Sequence, residues 1–236
     1  MKRTFAILLV SLFVPLWGAV GADKPLTVVE LFTSQGCSSC PPADALIGEL
    51  TADANVLPLS LHVDYWDYIG WSDRFARPGN TERQRGYSRR FNLRYVYTPQ
   101  IVVDGAFEAS GGKRADIYNY IERAKTLPHV ALKLTRRDNG LQLELPASSV
   151  DGEVDIISVF ADRRHDTKIM KGENRGRTLS YHNVVRHMEK LGTWHGKART
   201  MAVGMADTGG DFCAVILQMA KSRRIIGVAQ VALDGS

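Results

Sequence analysis

Cys37 and Cys40 are the residues of this sequence best placed to do chemistry. Two cysteines separated by two residues close a short loop, and a disulfide there opens and recloses without unfolding the chain around it. The pair lies between the β-branched run Thr27 to Thr33 and a stretch from Pro41 to Leu50, where Leu46, Ile47 and Leu50 repeat at helical spacing. A thiolate at a helix start is favoured by free backbone N–H groups and by the helix dipole, which lowers its pKa below the ~8.5 of free cysteine. Cys37 is therefore expected to be the exposed nucleophile, and Cys40 to resolve the mixed disulfide. Pro41 and Pro42 follow at once, so regular helix should begin near Pro41 with Cys40 at its cap. Cys37 then sits a turn farther out, where the dipole helps it less. The spacing is also half a zinc site, but no second cysteine pair completes it. A purely structural crosslink is the blander alternative, although so short a loop constrains the unfolded chain little.

The rest of the chain must position that pair. Its 236 residues are 44% hydrophobic and 23% charged, which excludes a disordered, collagenous or coiled-coil protein. A net charge of +5 is too mild to indicate a nucleic-acid partner. Met1-Lys2-Arg3, the apolar run Phe5 to Trp17 and the small residues through Ala22 read as a secretory signal over 1–22, cleaved after Ala22. The apolar run is short of the ~20 residues that span a bilayer, so a secreted or periplasmic protein without stable membrane insertion is expected. Residues 23–127 alternate as β-α-β-(insert)-α-β-β-α. Asn55 to Val63 forms a second strand, bent or at an edge near Pro58, and Asp104-Gly105 marks a type I′ hairpin. Ile117, Ile121 and Ala124 mark a helix ending before Pro128. From 128 to 236 the period changes to two, with Val130, Leu132 and Leu134 turning at Asn139-Gly140 into Leu141, Leu143 and Leu145. Further strands are expected at Val154 to Phe160, Ala198 to Gly204, Phe212 to Met219 and Ile225 to Leu233. The fold class is thus an α/β domain followed by a smaller antiparallel β domain, sandwich-like.

Thr98-Pro99 immediately precedes the strand Gln100 to Val103. With VVELFTSQGCSSC and FNLRYVYTPQIVVDG in place, the segment from Thr27 to about Leu127 resembles the thioredoxin superfamily. That resemblance implies a cis Pro99 facing the disulfide, and a Thr98 backbone that holds extended substrate. It also implies that Glu30, with a one-residue offset, matches the buried acid relaying protons to the resolving cysteine; an exposed strand-end glutamate is the competing expectation. The Ser38-Ser39 dipeptide differs from the Gly-Pro of thioredoxin, so no redox potential carries over. GCSSCPPAD, YTPQIVVDG and GENRGRTLSYHNVVRH (Gly172 to His187) together resemble a secreted thioredoxin-like family known as domain of unknown function 1223. The family implies the fold more than it implies an activity.

The segment between Cys40 and Pro99 is longer than in a minimal thioredoxin, and the excess lies at 64–90. Tyr65, Trp66 and Trp71, with Tyr68 and Phe75 nearby, are candidates for a substrate rim beside Cys37, or for a local core that holds the insert down. Seven arginines between Ser72 and Arg94 face only Asp73 and Glu82, as a solvated face or an anion-attracting patch. Gly172 to Arg186 reads as a long hairpin of the β domain, or as a segment that docks on the redox domain or a partner. His62 and Asp64 share a strand face where they could add a metal ligand, but no metal site is favoured. Cys213, in an apolar run, is expected to be a buried inert thiol. The leading function is an exported thiol–disulfide oxidoreductase with no cofactor, acting on a protein or a small thiol or disulfide and served by a redox partner protein. The alternatives are a periplasmic copper-handling protein using two soft thiolates, and a non-catalytic binding module on a thioredoxin scaffold.

Overall fold

A computed structural model describes residues 25–138, 140–205 and 209–233. The leader expected over 1–22 and the turn residue Asn139 lie outside them. The elements run β1 (Thr27–Thr33), α1 (Pro41–Leu50), β2 (Val56–His62), a 3₁₀ turn (Asp67–Ile69), α2 (Pro78–Arg90), β3 (Gln100–Val103), β4 (Phe107–Ser110) and α3 (Arg114–Ala124). Then follow β5 (Lys133–Arg137), β6 (Gly140–Leu145), β7 (Val154–Lys168), β8 (Thr178–Trp194), β9 (Arg199–Val203), β10 (Phe212–Met219) and β11 (Ile225–Ala232). Among the described residues no helix is long and apolar enough to cross a membrane.

Two sheets result. The larger has eight strands in the order β11-β10-β7-β8-β2-β1-β3-β4, so strands from both sides of Pro128 share it; the smaller is the antiparallel set β5-β6-β9. Alternation along β1 sends Val28 and Phe32 to one face, where they pack with Leu57, Leu59, Leu61 and Tyr87 of α2. Val29 and Leu31 go to the other face, beneath Leu46 and Ile47 of α1 and Ile117 and Ile121 of α3. The small sheet covers the far end of the large one, with Leu141, Leu143 and Leu145 against Val154, Ile156, Val215 and Leu217. Cys213 is fully buried in that layer, and burial pushes its thiol up to about 12.

The two halves of the large sheet meet at a single pairing, Ser60 of β2 beside Val184 of β8. Here the structure differs from the expectation for Pro58, because β2 is an interior strand. The carbonyl of Pro58 accepts 2.8 Å from Asn183 Nδ2, and Ser60 Oγ donates 2.8 Å to the His182 carbonyl, so side chains replace missing ladder bonds. Asn183 has φ of 48°, a left-handed conformation that asparagine tolerates better than most residues. The Asp104-Gly105 turn has positive φ at both residues, as a type I′ turn requires. Asp104 does more than turn the chain, since its buried carboxylate accepts from the Val28 N–H at 2.7 Å and pairs with His129 at 3.0 Å.

The strand expected at 154–160 continues to Lys168 and returns as the 17-residue β8. Gly172 to Arg186 therefore forms the tip and return of one long hairpin, and that tip reaches back to the cysteines.

Candidate functional site

Cys37 and Cys40 form a disulfide, with Cα atoms 5.4 Å apart, between the end of β1 and the start of α1. Cys40 is the N-cap residue, and its carbonyl accepts the N–H groups of Ala43 and Asp44 at 2.8 and 3.1 Å. Pro41 and Pro42 occupy the first helical positions, where a missing N–H disrupts nothing. They also leave the helix start without the free donors that would stabilise a thiolate. Cys37 N bonds the Ser34 carbonyl one turn earlier, as the paired prolines imply.

One expectation fails here: Cys37 is not exposed. Both cysteines have no accessible surface, and only Ser38 and Ser39 between them reach solvent. The covering comes from the tip of the β7–β8 hairpin. Asn174, itself 1% exposed, donates from Nδ2 to the carbonyls of Gln35 and Cys37 at 3.0 and 2.9 Å. Glu173 accepts the Ser38 N–H at 3.3 Å, which ties the tip to the loop between the two cysteines. On a second side lies the 3₁₀ turn, seated because a side chain at Gly36 would meet Ile69 Cδ1 at 2.8 Å.

The Thr98–Pro99 peptide bond is cis. Gly111 brings this step to the helix that follows the disulfide, since a methyl group there would lie 2.7 Å from Ala43 Cβ and 2.9 Å from Pro99 Cβ. Thr98 Oγ1 accepts from Trp66 Nε1 at 2.8 Å, and Trp71 Nε1 donates to Gln35 Oε1 at 2.8 Å. These two candidate rim residues thus tie the insert to both loops of the site. Tyr65 turns inward, donating to Gln84 Oε1 at 3.1 Å, and burial raises its phenol to about 12. Phe75 is buried with Tyr181 and Leu179, so it belongs to a local core and not to a rim. Tyr68, 82% exposed, lies stacked on Trp66 at the outer edge.

Glu30 is not brought to the cysteines. Alternation places it on the face of β1 opposite α1, and it is wholly buried, so neither the proton relay nor the exposed strand end is what the fold makes of it. Its carboxylate takes Arg83 Nε and Nη2 and the Tyr87 hydroxyl, while Arg83 Nη1 donates to Gln218 Oε1 at 3.0 Å. Asp64 likewise turns away, accepting Thr81 Oγ1 at 2.6 Å, so it does not join His62 at a shared ligand position.

Sequence reasoning missed a different acid. Asp44 of α1 is buried, and its Oδ1 accepts from Thr33 Oγ1 at 2.8 Å. Burial raises its pKa from 3.8 to about 7; the His62 charge and the Thr33 bond work against that rise, and Asp73 adds to it. His62 Nδ1 lies 2.6 Å from Asp73 Oδ2. Asp73 is pushed upward by burial, yet His62 and the backbone N–H groups of Gln35 and Phe75 hold it below the usual carboxylate range. Around this floor, Asp44 Oδ2, His62 Nε2, Gln35 Nε2 and the Tyr181 hydroxyl are buried without hydrogen-bond partners among the described residues. The only sequence signal was position: Asp44 is four residues after Cys40, and a helix puts such residues on one face.

The molecule is thus an α/β protein that holds a covered C-x-x-C disulfide between a cis-proline loop and a polar floor. A family model described as protein of unknown function (DUF1223) matches residues 28–218, and the chain belongs to that family. A crystal structure of a protein from Agrobacterium tumefaciens is similar over 91% of this chain and 98% of its own, with 30% identity and a TM-score of 0.79. HBP35 of Porphyromonas gingivalis is similar in fold at 17% identity and a TM-score of 0.63, over 92% of this chain and 77% of its own. Among curated proteins no match is found.

Proposed function

We propose that the protein is an exported thiol–disulfide oxidoreductase built on a thioredoxin-like scaffold. The observation that carries this is the Cys37–Cys40 disulfide at the start of α1, with the cis Thr98–Pro99 step packed through Gly111 against the same helix. Cys37 exchanges with a substrate sulfur, Cys40 resolves, and Thr98 and Pro99 form the wall along which an extended substrate lies. Because Asn174 and Glu173 hold the hairpin tip over the pair, substrate reaches Cys37 only when that tip lifts. The substrate is a protein or a small thiol or disulfide, with a separate redox partner, and the basic and apolar run from Met1 to Ala22 supports export to the periplasm or beyond.

The test is a Cys40→Ala variant incubated with extracts of the exported fraction. Mixed disulfides through Cys37 should accumulate and be identified by mass, and the Cys37→Ala variant should trap nothing. Complete absence of Cys37 adducts, together with a wild-type disulfide that graded thiol buffers never open, defeats the reading. The absence of exposed surface on both cysteines favours a second reading, a binding module in which the disulfide is structural. Full biological activity of a Cys37→Ala, Cys40→Ala double variant selects it.

A further inference from the structure

Deepening that redox reading, on which it rests, we propose that the partner of this disulfide is a protein bearing an acidic segment, and that the segment unlatches the hairpin tip by drawing Arg177 away from Asn174. The tip reads KGENRGR from Lys171 to Arg177, three cations against the one acid Glu173. Lys171, Arg175 and Arg177 are all exposed. Among the described residues none of the three forms an ion pair; on the arms of the hairpin, the pair next to the tip is Arg164 with Asp166. Glu173 is engaged by the Ser38 N–H. Asp67, in the neighbouring 3₁₀ turn, is engaged by Ser72 Oγ and the Asp73 N–H at 3.1 Å each. The three cations therefore face solvent uncompensated, on the element that covers Cys37. Such a cluster draws in acidic partners and turns basic ones away.

The same cluster contains the latch. Asn174 holds the Gln35 and Cys37 carbonyls through Nδ2, and its Oδ1 accepts from Arg177 Nη1 at 2.9 Å. Arg177 thus fixes which way the Asn174 amide faces. Backbone bonds make the tip one piece. The Gly176 N–H donates to the Ile169 carbonyl at 2.8 Å, the Ile169 N–H to the Arg177 carbonyl at 2.9 Å, and the Arg177 N–H to the Asn174 carbonyl at 3.1 Å. A segment so bonded lifts as a unit. Ile69 fills the seam beneath it, its Cδ1 lying 3.1 Å from where a Gly172 side chain would start and 2.8 Å from where one on Gly36 would start.

A carboxylate takes a guanidinium through two parallel bonds between opposite charges, which an amide oxygen cannot match. While Arg177 holds Asn174, one of its nitrogens is occupied, and the paired geometry opens only once that bond is released. The acidic segment therefore binds the lifted tip better than the seated one, the condition for a ligand to shift the balance between two states. Without Arg177 to orient it, Asn174 loses its grip on the two carbonyls, and Cys37 is uncovered. Met170, 56% exposed beside the tip, and Tyr68, 82% exposed on the 3₁₀ turn, offer apolar contacts to the same segment. The binding of the right partner is thus what opens the way to the sulfur.

The probe is an end-blocked oligoglutamate without cysteine, added to the protein while dithiothreitol opens the disulfide, with thiol alkylation and mass as the readout. In that reaction the two thiols of dithiothreitol become its cyclic disulfide and Cys37 and Cys40 become thiols, so the peptide acts only by moving the tip. Opening should speed up on the order of 10-fold, the scale of one hydrogen bond to a charged group. The gain should vanish in about 0.5 M salt, and oligolysine should give none. Arg177→Gln should open faster than wild type without peptide and respond little to it; a variant as slow and as responsive as wild type overturns the proposal. Nitrogen-15 NMR of the Asn174 side-chain amide in the wild-type protein gives a readout independent of any variant's folding, and its hydrogens should exchange with water faster once oligoglutamate is bound. Equal rates with oligoglutamate, oligolysine and no peptide, or Asn174 exchange that the peptide leaves unchanged, overturn the proposal and leave the redox reading standing. A gain from phosphatidylglycerol vesicles and none from oligoglutamate also overturns it, and assigns the cluster to a membrane surface. A disulfide that dithiothreitol never opens, with or without peptide, removes both.

Discussion

Glu30 and Asp44 are buried on opposite faces of the large sheet, and the two are treated in opposite ways. Glu30 is surrounded by donors, with Arg83, Tyr87 and Gln218 completing a closed network under α2. Asp44, beneath the start of α1, keeps one oxygen unpaired beside other unpaired groups. Buried charge that is fully paired holds the scaffold together, because removing one member strands the other. Buried polar atoms left unpaired weaken the scaffold, and four of the ten among the described residues, on Gln35, Asp44, His62 and Tyr181, lie around the Asp44 floor. Satisfaction of hydrogen bonding, more than burial or residue type, separates the two acids.

Substitutions should set the two faces apart. The largest effect is expected from Arg83→Met, which leaves the buried Glu30 without its charge partner and with only the Tyr87 hydroxyl as donor, and should cost about 3–5 kcal/mol of stability. Denaturant midpoints measure it, and a loss below about 1 kcal/mol would show that the network relaxes into water. Next, Asn174→Ala should cost about 1–3 kcal/mol by removing the donor to two buried carbonyls. It should also speed alkylation of the reduced cysteines; unchanged alkylation would mean that Asn174 does not cover them.

Asp44 should behave with the opposite sign to Arg83. Its folded pKa is raised from 3.8 to about 7, so its neutral form is favoured in the fold, and stability should fall as pH climbs between those values. Asp44→Asn should abolish that decline and be the more stable form above about pH 7, where the wild-type residue is a buried anion. Thermal unfolding across pH checks this, and parallel curves for the two proteins would contradict it. The smallest effect concerns His129. The Asp104 bond raises its pKa above 6.5, so the stability it adds is complete below that pH and is lost as pH rises through the folded value. His129→Gln should flatten that part of the profile alone.

Most of what positions the site could be read in the residues. The run Thr27 to Thr33, the Asp104-Gly105 turn and the Ile117, Ile121, Ala124 stripe signal their elements locally, by periodicity and turn chemistry, and all three form where expected. The 17-residue β8 was harder, because polar residues such as His182, Asn183 and Arg186 interrupt its alternation where it pairs with β7 on one edge and β2 on the other. Glu30 and Asp44 could not be ranked from sequence at all. Which face each occupies follows from strand parity and helix phase, but whether each finds partners depends on Arg83, Gln218 and Tyr181, far away along the chain. The cover over Cys37 was hidden for the same reason.

Asn174 lies 137 residues beyond the cysteine whose carbonyl it holds. A polypeptide made from its N-terminus presents both sulfurs uncovered well before the cap has been synthesised. The pair is therefore expected to be open to its surroundings on an unfinished chain, and enclosure comes afterwards as β8 arrives.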